Sequence, residues 1–374
     1  MGPFPSLDVR RSLRKDEPAL AKMSEKHARR DFLKASLYGA AGAVLAGGMG
    51  ACSGHDVRST CDRQIGDAHA GAVLALALDA SGTLLASGGA DAVVKLWHLP
   101  DGALLSTLSG HVGAVSALAL APGGSLPVSG GADGTVKLWN PAAGTVMSLT
   151  GHSAAVTSVA VSPDGQWLAS GSADATVRLW NAGDGSPLGT LVGHTQPVTA
   201  IAISPDGTTL VSASQDATLN LWSVPGGGLL GTIPTAPAWV TSLALSLDGT
   251  LLATGGTDKL VGLWSALGWT QIRTLKWHSQ EVVSVAMSPD QSLVASGSAD
   301  MTVNLWRVQS GARLHTILDH AGAVNALCIS PDGTVLVTGS GDRSIRLWHL
   351  PDGKYLGSAS DPVLPVQKSV SFSC

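Results

Sequence analysis

The chain has 374 residues, of which 44% are hydrophobic and 13% charged, and its net charge is −4. A chain of this length can hide roughly 75% of the surface that its unfolded form exposes, so we expect a large core. From residue 69 onward there are 12 Lys and Arg against 19 Asp and Glu, which argues against nucleic acid as a partner because phosphate contacts require clustered Lys and Arg.

Residues 1–52 have the pattern of an export signal. Arg29 and Arg30 are followed by Phe32-Leu33-Lys34 and then by a nearly uncharged stretch, Ala35 to Ala51, rich in Ala and Gly. This pattern resembles the twin-arginine translocation signal, which a receptor reads and which is not part of the fold. The alternatives are a single membrane helix, for which the stretch is short, or a chance arginine pair. Because such signals begin close to the start, Met23 is the alternative initiator.

The apolar stretch ends in a possible lipidation site. Met49-Gly50-Ala51-Cys52-Ser53 resembles the cleavage box of bacterial lipoproteins, and this resemblance implies that Cys52 carries lipid and anchors the protein to a membrane. Ordinary signal cleavage near the same place is the alternative. Residues 53–68 are polar and are interpreted as a tether. The expected location is the periplasmic side of the cell envelope.

Seven tryptophans recur at intervals of 42, 41, 42, 42, 42 and 42 residues. They are Trp97, Trp139, Trp180, Trp222, Trp264, Trp306 and Trp348. Six positions earlier stands an aspartate: Asp91, Asp133, Asp174, Asp216, Asp258, Asp300 and Asp342. Ten positions earlier stands a hydroxyl: Ser87, Ser129, Ser170, Ser212, Thr254, Ser296 and Thr338. Twenty-eight positions earlier, in all units but the fifth, stands a histidine: His69, His111, His152, His194, His278 and His320.

Residues 69–360 therefore resemble the WD-repeat β-propeller family, whose repeats of about 40 to 45 residues each form a four-stranded blade. The Gly-His pair of the family stands at residues 110–111, 151–152 and 193–194. The resemblance implies an all-β fold, a seven-bladed β-propeller of four-stranded antiparallel blades, with residues 361–374 as a tail. It also implies a relay in which the indole N–H bonds the hydroxyl, the hydroxyl bonds the histidine and the histidine bonds the aspartate. A set that occurs six times in equivalent places is structural, not a hydrolase triad.

Several positions depart from the repeat or complete it. Ala236 occupies the histidine slot of the fifth unit and removes its relay. Pro127 stands in a second strand and predicts a local bulge in blade two, because proline cannot donate to the ladder. Trp167 is expected in the core. Residues 355–357 match an outer strand and predict closure of the ring from the carboxyl end, with a strand near Ile65 as the rival.

The cysteines suggest different roles. Cys328 lies in an apolar strand and is expected to be a buried thiol. Cys61 and Cys374 flank the two ends of the ring, and in an oxidising compartment they could pair. The sequence leaves that pairing open.

Large side chains gather on one expected face of blades four to six. They are Gln196, Gln215, Trp239, Thr257, Trp277 and Glu281. Equivalent positions on the other blades are mostly alanine and glycine. Exposed tryptophan beside polar groups is typical of a binding hot spot, so these six residues are the predicted partner-binding site. Alternatively, Trp239 fills the gap left by Ala236. Trp269 falls on the opposite face and is expected to pack.

These patterns predict an exported, lipid-anchored, non-enzymatic scaffold that binds another protein. The alternative is a propeller enzyme or small-ligand binder that uses the central channel. Such sites need a cluster of titratable groups facing one cavity, and the sequence offers none outside the repeated relay. No metal-ligand spacing and no cofactor or substrate motif was found.

Overall fold

The protein is built from seven antiparallel sheets of four strands. The computed structural model describes residues 68–99, 101–122, 126–350 and 355–357, and Gly2. These residues contain 28 strands and no helix, which confirms the all-β prediction. The predicted export signal with Cys52, the tether up to residue 67 and the tail from 361 lie outside the described residues. Among the described residues no helix is of a length and apolarity that would let it cross a membrane.

Each blade takes four consecutive strands, and the first is innermost. Blades one and two contain β1 (Val73–Leu78), β2 (Leu84–Gly89), β3 (Val93–His98), β4 (Leu104–Ser109), β5 (Val115–Leu120), β6 (Pro127–Gly131), β7 (Val136–Asn140) and β8 (Thr145–Leu149). Blades three and four contain β9 (Val156–Val161), β10 (Trp167–Ser172), β11 (Thr176–Asn181), β12 (Pro187–Val192), β13 (Val198–Ile203), β14 (Thr209–Ser214), β15 (Thr218–Ser223) and β16 (Gly228–Pro234).

The remaining blades follow the same order. Blade five contains β17 (Val240–Leu245), β18 (Leu251–Gly256), β19 (Leu260–Ser265) and β20 (Thr270–Lys276). Blade six contains β21 (Val282–Met287), β22 (Leu293–Ser298), β23 (Val303–Arg307) and β24 (Arg313–Ile317). Blade seven contains β25 (Val324–Ile329), β26 (Val335–Ser340), β27 (Ile345–His349) and β28 (Tyr355–Gly357). The inner strands contact one another in sequence, and β1 contacts β25, so the ring is closed.

Hydrogen bonds between inner strands hold neighbouring blades together. Thr157 Oγ1 in blade three donates to the Val198 carbonyl in blade four at 2.7 Å. At the closure, Asn325 Nδ2 donates to the Val73 carbonyl of blade one at 2.9 Å. Apolar side chains fill the space between sheets, and Trp167 is 6% exposed within such a core, which confirms its predicted place.

Blade seven is completed by the carboxyl end of the described chain. Strand β28 pairs with β27, and the partners are Trp348 with Tyr355 and Leu347 with Gly357. The prediction that residues 355–357 supply the outer strand is confirmed. Ile65, the rival, lies outside the described residues.

The bulge predicted at Pro127 is absent, and that prediction was wrong. The β5–β6 register runs without interruption from Ala117 to the pair Leu120–Pro127. Pairing with β7 begins only at Val128. Pro127 therefore shortens one end of the ladder, where its missing N–H disturbs no further pair.

Blade two differs from the others in its outer strand instead. Six blades have a register shift between their third and fourth strands; in blade one the additional residue is Leu105. In blade two Trp139 pairs with Val146 in an unbroken ladder. The interval of 41 residues between Trp139 and Trp180 thus corresponds to a lost bulge residue.

Cys328 is a free, partly buried cysteine on β25 that packs against the core between blades seven and one. Burial raises the pKa of its thiol to about 12. Because the thiolate is the nucleophile, this group is unreactive at neutral pH. The prediction of a buried thiol is met only in part, since the residue is partly buried. Cys61 and Cys374 lie outside the described residues.

Candidate functional site

The histidine relay is present and shows well-formed hydrogen bonds. In blade three, His152 Nδ1 lies 2.8 Å from Asp174 Oδ2 and His152 Nε2 lies 2.8 Å from Ser170 Oγ. Trp180 Nε1 donates to the same Ser170 Oγ at 2.8 Å. The backbone N–H of Ser153 donates to Asp174 Oδ2 at 3.0 Å. The carboxylate therefore accepts two bonds from the loop that carries the histidine.

The same arrangement recurs in six blades, as predicted. Distances from histidine Nδ1 to the nearer carboxylate oxygen are 2.8–3.0 Å. Distances from Nε2 to the hydroxyl oxygen are 2.6–2.8 Å. Buried polar groups are costly when unpaired, so these bonds keep each loop fixed against its blade.

Burial lowers the pKa of His152 below its usual value, although Asp174 opposes this effect. The pKa values of three other relay histidines, His69, His111 and His278, are lowered in the same way. Burial by itself raises the pKa of Asp174, but hydrogen bonds from Thr176 and His152 outweigh it and hold that pKa at about 2. We therefore assign a neutral imidazole whose Nδ1–H donates to the carboxylate and whose Nε2 accepts the Ser170 hydroxyl.

The relay has the connectivity of a hydrolase triad but lacks a reachable nucleophile. Ser170 is 0% exposed. Its oxygen also accepts the Trp180 N–H, so both hydrogen-bonding neighbours of the hydroxyl are buried side chains of the blade. The relay is therefore a structural support.

Blade five retains only one bond of the relay. Trp264 Nε1 donates to Thr254 Oγ1 at 3.0 Å, and the slot of the histidine holds Ala236. Asp258 accepts the backbone N–H of Leu260 at 3.1 Å. The prediction that Ala236 removes this relay is confirmed.

The loops that follow the histidine slots and the turns before the aspartates lie on one side of the ring, which we call the histidine face. Backbone bonds join them in every blade. In blades four to six, Gln215 N–H donates to the Pro197 carbonyl at 2.9 Å, Thr257 N–H to Trp239 at 3.1 Å and Ala299 N–H to Glu281 at 3.0 Å. Residues from two distant parts of each repeat are thus brought side by side.

The structure brings the six predicted site residues to the histidine face of three consecutive blades. Gln196, Gln215 and Glu281 are exposed, and Thr257 is partly buried. Trp239 is 40% exposed and Trp277 is 61% exposed. Both indoles are therefore accessible.

Trp277 stacks against Arg313, a contact that the sequence did not predict. The Arg313 guanidinium lies 3.6 Å from the centre of the Trp277 ring. Arg313 begins the outer strand of blade six, 36 positions along the chain, so no local pattern indicates the pair. A cation over an indole face is attractive, and it holds the exposed ring in one orientation.

A cavity of about 220 Å³ opens beside Ala236 in blade five, and we call it the blade-five cavity. Its lining includes Trp239, Asp258, Thr254 and Gln271. Trp239 is one of the residues that line it, and the cavity remains open beside this side chain. Trp269 packs on the blade-five core, as expected.

The repeat pattern matches a known family over most of the chain. The WD40 family, described as WD domain, G-beta repeat, matches residues 53–98, 102–140, 144–181, 185–223, 227–265, 269–307 and 311–349. The chain belongs to the WD40 family. Each matched stretch ends one residue after a repeat tryptophan, so each stretch from residue 102 onward combines the outer strand of one blade with three strands of the next. A comparison with curated proteins gave no match.

The WD40 fold fits a protein-interaction scaffold, and the family is generally non-catalytic. The inner strands line a central cavity of about 240 Å³ with residues such as Thr157, Thr199 and Asn325. None of its lining side chains is Asp, Glu, His, Lys, Arg or Cys. Among the described residues no group of three or more His, Cys, Asp or Glu side chains could hold a metal ion. The part of the chain that the structure describes thus places no acid or base on the lining of this cavity.

Residues that shape the blade-five cavity escaped the sequence interpretation, although two of them leave a signal. Gly262 stands two residues before the blade-five tryptophan, where the other WD40 repeats carry Lys, Arg or Asn. Pro237 follows the histidine slot, where the other repeats have a residue with a backbone N–H. Comparing the seven repeats column by column would have identified both.

Proposed function

We propose that this WD40 propeller is a non-enzymatic scaffold that binds another protein through the histidine face of blades four to six. The observation that carries the proposal is the exposure of two indoles, Trp239 and Trp277, on adjacent blades. In blades one, two, three and seven the position of Trp239 holds alanine, and the turn position of Gln215 and Thr257 holds alanine or glycine. These residues are Ala72, Ala114, Ala155 and Ala323, and Ala90, Ala132, Ala173 and Gly341. Recognition is therefore concentrated on one side of the ring.

The two indoles suit binding because their positions are set before a partner arrives. The Trp239 carbonyl accepts the Thr257 N–H, which ties its loop to the neighbouring turn. Trp277 is held by the Arg313 guanidinium. Binding through pre-ordered side chains loses less conformational entropy than binding through mobile ones. Tryptophan and arginine are also the residues most enriched in interface hot spots.

A capture experiment tests this surface. The double variant W239A/E281A should retain a partner from envelope extracts roughly tenfold less well or worse than the wild type, since a hot-spot tryptophan contributes about 2 kcal/mol or more. The control is L247A/L267A, which alters two exposed leucines in turns on the opposite face of blade five. Both variants are first matched to wild type in thermal stability.

Equal capture by W239A/E281A and wild type contradicts the proposed surface. Loss of capture in the control, with retention in W239A/E281A, moves the binding site to the opposite face. Loss in the double variant alone supports the scaffold and locates its surface.

In this proposal the scaffold is exported and anchored by lipid at Cys52. The support is the sequence, in which Arg29 and Arg30 precede a short apolar stretch that ends in the cysteine. Anchoring would place many copies on one membrane surface, with the propeller held at the end of a polar tether.

Fractionation of cells that express the full chain tests the anchor. The wild type should be found in the membrane fraction, and C52S should appear in the soluble fraction because it cannot be acylated. C61S, a cysteine change nine residues further on, is the matched control and should stay with the membrane. Equal distribution of wild type and C52S would rule out the lipid anchor, and unchanged export of R29K/R30K would rule out the twin-arginine route.

A further inference from the structure

Asp258 in blade five has lost the hydrogen-bond donors that its counterparts keep. In the six relay blades the aspartate accepts the histidine Nδ1–H and the backbone N–H of the residue that follows the histidine. Here those positions are Ala236, with a methyl group, and Pro237, which has no N–H. Asp258 is exposed and accepts one bond, from the Leu260 N–H. Its carboxylate therefore has spare acceptor capacity on the histidine face.

Thr254, at the inner end of the cavity, has a hydroxyl donor that lacks an acceptor. Its hydroxyl oxygen accepts the Trp264 N–H, and an indole can donate but not accept. In the described structure Thr254 Oγ1 has no other hydrogen-bond partner, so its own O–H is left without an acceptor. The residue is 4% exposed. A buried hydroxyl donor directed at a cavity favours a ligand with an acceptor atom.

The space between these two groups is kept open by the chain itself. A Cβ atom at Gly262 would lie 2.6 Å from Thr254 Oγ1 and 2.7 Å from Trp264 Nε1, so no side chain fits there without displacement. In blade six the equivalent residue, Asn304, instead reaches His278 with its amide. The resulting volume of about 220 Å³ exceeds the roughly 150 Å³ that admits benzene in an engineered cavity.

We propose that the blade-five cavity binds an imidazole ring supplied from outside the chain. One ring N–H would donate to Asp258, and the second nitrogen would accept the Thr254 hydroxyl. The intact blades show that such a frame holds an imidazole at 2.8–3.0 Å from the carboxylate and 2.6–2.8 Å from the hydroxyl. The ring belongs either to a histidine of a partner protein or to a free small molecule.

The two polar ends disfavour several other ligand chemistries. An anion is repelled by Asp258, an ammonium group offers no acceptor to Thr254, and an apolar ring satisfies neither. The inference goes beyond the scaffold role and does not depend on it, because free imidazole tests the cavity alone.

Titration with imidazole, followed through the Trp264 indole N–H resonance in a nitrogen-15 spectrum, tests the proposal. At pH 8, where the free ring is uncharged, we expect a saturable shift with a Kd on the order of millimolar. D258A and T254V should each bind roughly tenfold or more weakly. The ligand 1-methylimidazole, which lacks the N–H donor, should also bind at least about tenfold more weakly.

A positive control comes from a relay blade. H194G opens an equivalent space in blade four between Asp216 and Ser212 and should give a new imidazole response at Trp222. Absence of a saturable shift at Trp264, or equal binding by wild type, D258A and T254V, overturns the proposal. Asp258 is exposed, so D258A keeps the test valid if T254V folds poorly.

The peptide acetyl-Gly-His-Gly-amide distinguishes the two sources of the ring. Binding at least tenfold tighter than free imidazole assigns the site to a histidine on a partner protein. Equal or weaker binding assigns it to a small molecule. Both results support the imidazole site and differ only in where the ring comes from.

Discussion

The variant T338V should have a free energy of unfolding about 2–6 kcal/mol lower than that of the wild type. Thr338 Oγ1 lies 2.6 Å from His320 Nε2 and accepts the Trp348 N–H at 3.0 Å. Valine has the same shape but offers neither donor nor acceptor. Each buried polar group that loses its partner costs about 1–3 kcal/mol, and this change affects two.

Blade five supplies the matched control for that experiment. Thr254 occupies the equivalent position, but its hydroxyl oxygen accepts only the Trp264 N–H. T254V should therefore lose about 1–3 kcal/mol. Chemical denaturation of both variants measures the difference. Equal losses would show that the histidine bond contributes nothing to stability, contrary to the structural role we assign to the relay.

The variant G339A should lose about 1–3 kcal/mol through overpacking at the closure of the ring. A Cβ atom at this position would lie 2.6 Å from Val73 Cγ1 and 3.2 Å from Leu76 Cδ1. Val73 belongs to blade one and is fully buried. The new methyl group must therefore push blades seven and one apart or distort their cores.

Gly231, on the outer strand β16, is the control for this substitution. A Cβ atom there meets nothing within 4 Å. Because alanine also restricts the unfolded chain, G231A should be neutral or more stable by about 0.4–1 kcal/mol. Opposite signs for the two variants support close blade contact as the cause. A loss of similar size in both would instead indicate that glycine is needed for the strand backbone itself.

Blade four shows that glycine-close contact between the second strand of one blade and the first strand of the next is not required in every blade. Ala213 stands at the position that glycine occupies in the other six second strands, and it is fully buried near Val240 of blade five. The spacing between these two blades therefore already accommodates a methyl group. At the other five glycines of this position a Cβ atom would also lie 2.5–2.8 Å from a valine of the next blade, namely at Gly88, Gly130, Gly171, Gly255 and Gly297. A penalty like that of G339A is therefore expected wherever glycine holds this position.

The repeat predicts most of the fold because it is visible as a constant spacing of residues along the chain. Trp97 to Trp348 recur at a nearly constant interval, and the blade length, the blade number and the relay all follow from residues at fixed offsets. The same reasoning identified residues 355–357 as the closing strand. It misjudged Pro127, because a proline at the end of a ladder shortens the pairing without forcing a bulge.

The sequence by itself thus determined a seven-bladed propeller with a relay in six blades and a histidine face enriched in large residues on blades four to six. Only the tertiary structure decided what those residues do together. Arg313, on the outer strand of blade six, stacks on Trp277, which follows the outer strand of blade five. Asp258, Thr254 and Gly262 surround one cavity because the β-turn and two strands of blade five place them around the vacant histidine slot. Such volumes depend on the distances between backbones, which no repeat offset encodes.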